Sequence, residues 1–117
     1  MEAPQMIDPK IVESVDRILD RDVSEHYQEQ PLAQHWARVA KVQEELGEAI
    51  AELILWTGQN PRKSQDDSAR RRLLLELADT AMTGIYAIQH FTKDVEETAR
   101  YIKEAQTKHI TRLTAIT

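Results

Sequence analysis

Apolar residues recur at intervals of three and four positions along four stretches of the chain, which is the spacing of an amphipathic α-helix. No stretch has the alternating pattern that is typical of a strand. The four predicted helices cover Pro9–Asp22, Pro31–Trp56, Ser68–His90 and Lys93–Leu113. Because short links join them, we expect an all-α fold, a four-helix antiparallel bundle that forms one domain over residues 1–117.

The second and third predicted helices carry wide apolar stripes for so short a chain. The stripe of the second helix comprises Val39, Val42, Leu46, Ala49, Leu53 and Trp56, and that of the third comprises Leu74, Leu77, Ala78, Ala81, Ile85 and Ile88. We therefore expect the helices to associate with further copies of the chain, as a homodimer or a homotetramer. Gly58 is expected to end the second helix in the left-handed conformation, and Thr92 to cap the fourth.

The amino-acid composition is that of a folded domain and argues against several kinds of site and partner. Of the 117 residues, 41% are hydrophobic and 30% are charged, which is typical of a folded soluble domain. The net charge of −5 argues against a nucleic-acid partner. The chain has no cysteine, which excludes disulfides and thiolate metal sites, and no apolar run is long enough for a membrane span. We expect a cytoplasmic location without membrane association.

Acidic residues lie beside the apolar stripes rather than opposite them. On the second helix, Glu45 and Glu48 fall within a sector of roughly 60°, whereas Glu44 points towards solvent. On the third helix, Glu76 and Asp79 are three positions apart and share a face. If the two helices pack antiparallel, these four carboxylates converge in a half-buried cleft.

Four converging anions repel one another and lose hydration, at a cost of several kcal/mol for each unpaired buried ion. Protonation is one relief, and a divalent cation is the other. All-oxygen ligation favours Mg²⁺, with Mn²⁺ as a second choice, over zinc. Because magnesium commonly binds phosphate oxygens, the expected substrate is a polyphosphate. Either motif alone is also common on a solvated helix face.

The two acidic motifs resemble those of the all-α MazG-like nucleoside triphosphate pyrophosphohydrolases. They are Glu44-Glu45-Leu46-Gly47-Glu48 and Glu76-Leu77-Ala78-Asp79, and the resemblance covers about residues 34–108. It implies that a nucleoside triphosphate is hydrolysed to the monophosphate and pyrophosphate. It also implies that the metal ligands and catalytic residues are Glu45, Glu48, Glu76 and Asp79.

Four further residues are predicted to bind substrate. Lys41 lies one turn before Glu45, and Arg38 lies near the same edge, so both are candidates for phosphate contacts or for surface ion pairs. Trp56 is placed either to stack on a base or to close the apolar stripe. Lys103 matches a phosphate-contacting lysine that members of the MazG-like family carry on the last helix.

Two other functions compete with the hydrolase. A non-catalytic helical interaction module would carry the same acidic faces merely solvated. A di-iron carboxylate bundle would need Glu-x-x-His pairs, which the chain lacks at the relevant positions. The histidines show no zinc-like spacing and are expected to be ordinary surface or core residues; they are His26, His35, His90 and His109.

Overall fold

A computed structural model describes residues 7–27 and 30–116, and within these ranges the chain is all-helical with no strand. The helices are α1 (Pro9–Tyr27), α2 (Pro31–Thr57), α3 (Ala69–Thr92) and α4 (Val95–Ile116). The prediction of an all-α chain with four helices is confirmed. Helix α1 continues beyond Asp22 into the polar segment that was expected to be a link. In the described ranges, no helix is both long and apolar enough to cross a bilayer.

The helix ends follow from local backbone chemistry. Gly58 adopts a left-handed conformation with φ 70°, and its N–H donates to the carbonyl of Ile54, which confirms the predicted end of α2. Thr92 is not the cap of the fourth helix. It is the last residue of α3, because Lys93 takes the left-handed conformation there with φ 54°. Asp94 caps α4 instead, and its Oδ1 accepts from the N–H of Glu96 at 3.0 Å.

Helices α2 and α3 pack antiparallel and share the largest interface in the chain. Arg38 contacts the Tyr86 carbonyl, Glu45 lies beside Asp79, and Glu52 pairs with Arg72. These pairs advance by seven residues along α2 while they retreat by seven along α3. Seven residues make about two helical turns, so one face of α2 contacts one face of α3 throughout the segments that these pairs span.

One chain does not enclose its apolar stripes. The fully buried apolar residues are few: Val12, Ala49, Ala69, Leu73 and Ala87. Residues predicted to form the core remain about half exposed, and these include Val39, Leu46, Leu53, Leu74 and Leu77. Helix α4 has no fully buried residue from residue 99 to residue 116. The radius of gyration is 17.4 Å, whereas a compact chain of this length has about 13 Å. The predicted four-helix antiparallel bundle is therefore open on one side, because α4 packs only through its first turns.

Candidate metal centre

Acidic side chains meet between α2 and α3, where the antiparallel packing brings two turns together. Glu45 of α2 lies beside Glu76 and Asp79 of α3, and one carboxylate oxygen from each lies within 4.8 Å of the others. Glu48 lies near them, since its negative charge acts on both Glu45 and Glu76. The structure thus brings together Glu45, Glu76 and Asp79, with the exposed Glu48 beside them.

The environment of this carboxylate cluster disfavours negative charge. Burial, followed by the charge of Glu48, raises the pKa of both Glu45 and Glu76. No described residue donates a hydrogen bond to the buried Oε2 of Glu76.

These residues fit a hard divalent cation. They supply only carboxylate oxygens, the ligand type that Mg²⁺ and Mn²⁺ prefer. Within residues 7–27 and 30–116, the buried Oε2 of Glu76 is an acceptor without a donor, and a cation would satisfy it. The same positive charge would relieve the repulsion that raises the pKa of Glu45 and Glu76.

A cleft of about 250 Å³ opens beside the carboxylate cluster. Its lining residues come from three helices: Val15 and Leu19 of α1, Lys41 and Glu45 of α2, and Asp79, Met82, Thr83 and Tyr86 of α3. Burial, followed by the negative charge of Asp79, raises the pKa of Tyr86, so its hydroxyl stays protonated at neutral pH. The cleft therefore joins an acidic end to a wall that is largely apolar.

Lys41 is the one cation among the residues that line this cleft. Its Nζ lies 3.1 Å from Glu44 Oε1 and 3.8 Å from Glu45 Oε1. The hydrogen bond to Glu44, assisted by the surrounding negative charges, raises the pKa of Lys41. Lys41 is therefore an ammonium group held at the edge of the carboxylate cluster, where it was predicted to contact phosphate.

The other three predicted substrate-binding residues lie elsewhere. Arg38 is only 2% exposed and is engaged in ion pairs with α1, so it is not available to a phosphate and the prediction for it is revised. Trp56 is half-buried, and the guanidinium of Arg70 lies 6.0 Å from its ring centre. Lys103 lines a separate groove on α4 together with Thr107. None of the three lines the cleft.

A second charged group, not foreseen from the sequence, joins α1 to the rest of the chain. Arg38 Nη1 lies 2.6 Å from Asp20 Oδ1 and 2.8 Å from Asp16 Oδ1, although the latter contact is not aligned as a hydrogen bond. Lys93 donates to both aspartates, at 2.8 Å in the case of Asp16. His90 Nδ1 lies 2.8 Å from Asp20. We call these five residues the ionic network.

The ionic network also orients a pair of imidazoles. His90 Nε2 lies 2.8 Å from His35 Nδ1. Because an ionised Asp20 only accepts, His90 donates to it from Nδ1, and His35 then donates to His90 Nε2. Burial lowers the pKa of His90 despite the nearby carboxylate. Burial acts to raise the pKa of Asp20, but hydrogen bonds from Lys93 and His90 outweigh it and the pKa falls. His90 is thus a buried residue that links α3 to α1, and His35 extends the contact to α2.

Spacing alone would allow Asp16, Asp20 and His90 to hold a metal ion as well. Arg38 and Lys93 already neutralise both aspartates, however, so this group lacks the excess negative charge found between α2 and α3. The ionic network is therefore assigned to structure rather than to metal binding.

Comparison with known proteins yields no relative from which a function could be transferred. No protein-family model matches the chain, and neither a curated protein nor a solved structure shows significant similarity to it. The chemistry available to the chain is therefore that of its own side chains. Those between α2 and α3 offer oxygen ligands for a cation, and the adjoining cleft offers an ammonium group and space for a substrate.

Proposed function

We propose that the chain hydrolyses a ribo- or deoxyribonucleoside triphosphate to the monophosphate and pyrophosphate, with Mg²⁺ or Mn²⁺ as cofactor. The observation that carries the proposal is the convergence of Glu45, Glu76 and Asp79, with Glu48 beside them, at the mouth of a cleft that Lys41 borders. The choice of reaction rests on the resemblance of the two acidic motifs to the MazG-like hydrolases.

In this reaction a water oxygen bonds to one phosphorus, a phosphoanhydride bond breaks and pyrophosphate leaves. A bound divalent cation supplies positive charge to the phosphate oxygens. The chain's own residues do the rest. Lys41 binds the phosphate chain at the cleft edge, and one carboxylate of the cluster takes the proton released by water. The apolar wall contributed by Val15, Leu19 and Met82 limits the access of bulk water.

The test is pyrophosphate release from a panel of ribo- and deoxynucleoside triphosphates, with and without Mg²⁺ or Mn²⁺. We expect metal-dependent release by the wild type and at least a hundredfold loss in Asp79→Asn. Asp67→Asn is the matched control, because it makes the same change at an exposed position before α3 and should retain activity. Full activity of Asp79→Asn, or no release from any triphosphate, would overturn the proposal.

Metal binding is measured separately, by thermal unfolding with increasing Mg²⁺ or Mn²⁺. A ligand at ten times its Kd stabilises the folded state by about 1.4 kcal/mol. Asp79→Asn should lose most of this stabilisation and Asp67→Asn should keep it. An equal response of the wild type and Asp79→Asn would place the cation elsewhere.

We also propose that the active form is a homodimer or homotetramer. The accessible surface is 9077 Å², whereas a folded monomer of 13.5 kDa exposes about 6,500 Å². The excess is well above the roughly 800 Å² that each partner buries in a standard interface. On α2 and α3 the exposed large apolar side chains include Leu46, Ile50, Leu53, Leu74 and Leu77.

Sedimentation velocity tests the assembly. Ile50→Glu places a charge on the exposed apolar face of α2 and should shift the chain towards monomer. Gln106→Glu, which places the same side chain at an exposed polar position of α4, is the control and should not. A wild type that sediments as a monomer at micromolar concentration would contradict self-association.

The same exposed apolar surface favours a second candidate function, a non-catalytic helical module that binds a partner protein. This alternative predicts neither metal-dependent stabilisation nor pyrophosphate release. The two assays above therefore separate it from the hydrolase.

A further inference from the structure

Charged contacts contribute much of what holds α1 in place. Among its residues only Val12 and Asp16 are fully buried, and two of its large apolar side chains, Ile11 and Ile18, are about half exposed. With so little apolar burial, the position of α1 depends on the ion pairs that it makes with α2 and with Lys93 after α3.

Arg38 is at the centre of those ion pairs. Its Nη1 contacts Asp16 and Asp20 of α1, and its Nη2 donates to the carbonyl of Tyr86 in α3 at 2.9 Å. A single guanidinium of α2 thus ties α1 and α3 together. The planar fork of arginine can serve both directions at once, which the single ammonium of a lysine cannot.

The contacts of Arg38 with α1 and with α3 both involve residues that line the cleft or lie next to its lining. On α1, Val15 and Leu19 line the cleft, and the residue after each is an aspartate of the ionic network. The two pairs share the one-turn spacing, so α1 presents an apolar pair to the cleft and an acidic pair to Arg38. On α3, the residue whose carbonyl Arg38 holds is Tyr86, which also lines the cleft.

We propose that Arg38 is a positioning residue that holds the α1 wall and Tyr86 around the cleft, and so sets the affinity for substrate rather than the rate of the chemical step. The effect of Arg38 on substrate affinity rests on the proposed hydrolase function. The effect of Arg38 on the position of α1 does not depend on that function. The part of the substrate affected is the part that extends from the carboxylate cluster towards α1.

The test variant is Arg38→Lys, which keeps the positive charge but cannot reach the aspartates and the Tyr86 carbonyl together. Arg21→Lys is the matched control, because Arg21 lies on α1 with a side chain 66% exposed. Amide hydrogen exchange measured by mass spectrometry should be at least tenfold faster across α1 in Arg38→Lys, with little change at the α2–α3 interface. Arg21→Lys should match the wild type.

Pyrophosphate release by the same two variants gives the second readout. We expect KM to rise on the order of tenfold in Arg38→Lys while kcat stays within about twofold of the wild type. If Arg38→Lys folds and its amide hydrogen exchange across α1 is unchanged, the proposal that Arg38 holds α1 in place is wrong. If exchange across α1 is faster but KM is unchanged, or if only kcat falls, the proposed effect on substrate affinity is wrong.

Asp20→Asn provides a second route if Arg38→Lys does not fold. It weakens the contact with Arg38 from the α1 side at a residue that is partly exposed, and it should reproduce both effects in smaller measure. Its failure to change α1 exchange would also overturn the proposal. If the wild type releases no pyrophosphate, the hydrolase and the substrate effect fail together, while the exchange measurement still decides whether Arg38 holds α1.

Discussion

Replacing Asp16 by asparagine tests whether the ionic network stabilises the fold. Asp16 is 3% exposed and lies between two cations, Arg38 and Lys93. The substitution keeps the size of the side chain and removes its charge. It leaves Arg38, which is equally buried, with Asp20 as its remaining carboxylate partner.

The expected loss follows from burial. Removing one partner of a buried ion pair costs about 3–5 kcal/mol, and the low end applies because Asp20 still neutralises Arg38. A loss of about 3 kcal/mol is a large share of the 5–15 kcal/mol that usually stabilises a domain. With a urea dependence of about 2 kcal/mol per molar, the unfolding midpoint should fall by about 1.5 M.

Urea unfolding followed by circular dichroism measures this loss, and Lys93→Met is the comparison. The Lys93 side chain is 49% exposed, so its removal should cost no more than about 1 kcal/mol. A midpoint shift below about 0.5 M for Asp16→Asn would refute the assignment. Equal losses in the two variants would refute it as well, since burial would then not be what makes the contact strong.

Three further predictions concern single groups. Glu76→Gln should raise the unfolding temperature of the metal-free protein at neutral pH, because an acid whose pKa is raised on folding destabilises the fold above that pKa; it should also weaken the response to Mg²⁺. Folding lowers the pKa of His90 from 6.5, so its contribution to the stability of the fold is intact above that pH and is lost as the pH falls. Between about pH 7.5 and 5.5, the urea unfolding midpoint should therefore drop more in the wild type than in His90→Gln. Thr98, 1% exposed, donates to Gln89 Oε1 at 2.7 Å, so Thr98→Val should cost about 1–3 kcal/mol in urea unfolding, whereas the exposed Thr111→Val should cost almost nothing.

Local pattern was enough to predict the helices. The period of the apolar residues predicted all four helices, and Gly58 predicted the end of α2 because glycine adopts, without a steric penalty, the left-handed conformation that commonly ends a helix. The end of α1 was missed because polar residues 24–27 give no periodic signal, although they continue the helix. The width of the apolar stripes on α2 and α3 predicted that one chain does not cover them, but the pattern did not predict that α4 packs only through its first turns.

The two sites differ in how far sequence reasoning reaches them. Glu76 and Asp79 share a helix face by spacing, and α2 and α3 are consecutive, so their meeting with Glu45 could be predicted. The ionic network could not be predicted in that way. His90 and Asp20 are 70 positions apart, and each residue of the network taken alone is typical of a solvated helix surface. The one local signal was the one-turn spacing of the two α1 aspartates.

The packing of α2 against α3 has a consequence for the order in which the molecule assembles. All four carboxylates of the cluster lie on these consecutive helices, which residues 58–68 join. The entropy of loop closure rises only slowly with loop length, so the helical hairpin can form from contacts between segments that are near in sequence. The carboxylates of the cluster therefore lie within a single helical hairpin. The cleft also needs Val15 and Leu19, and it is completed only when α1 packs against both helices of that hairpin.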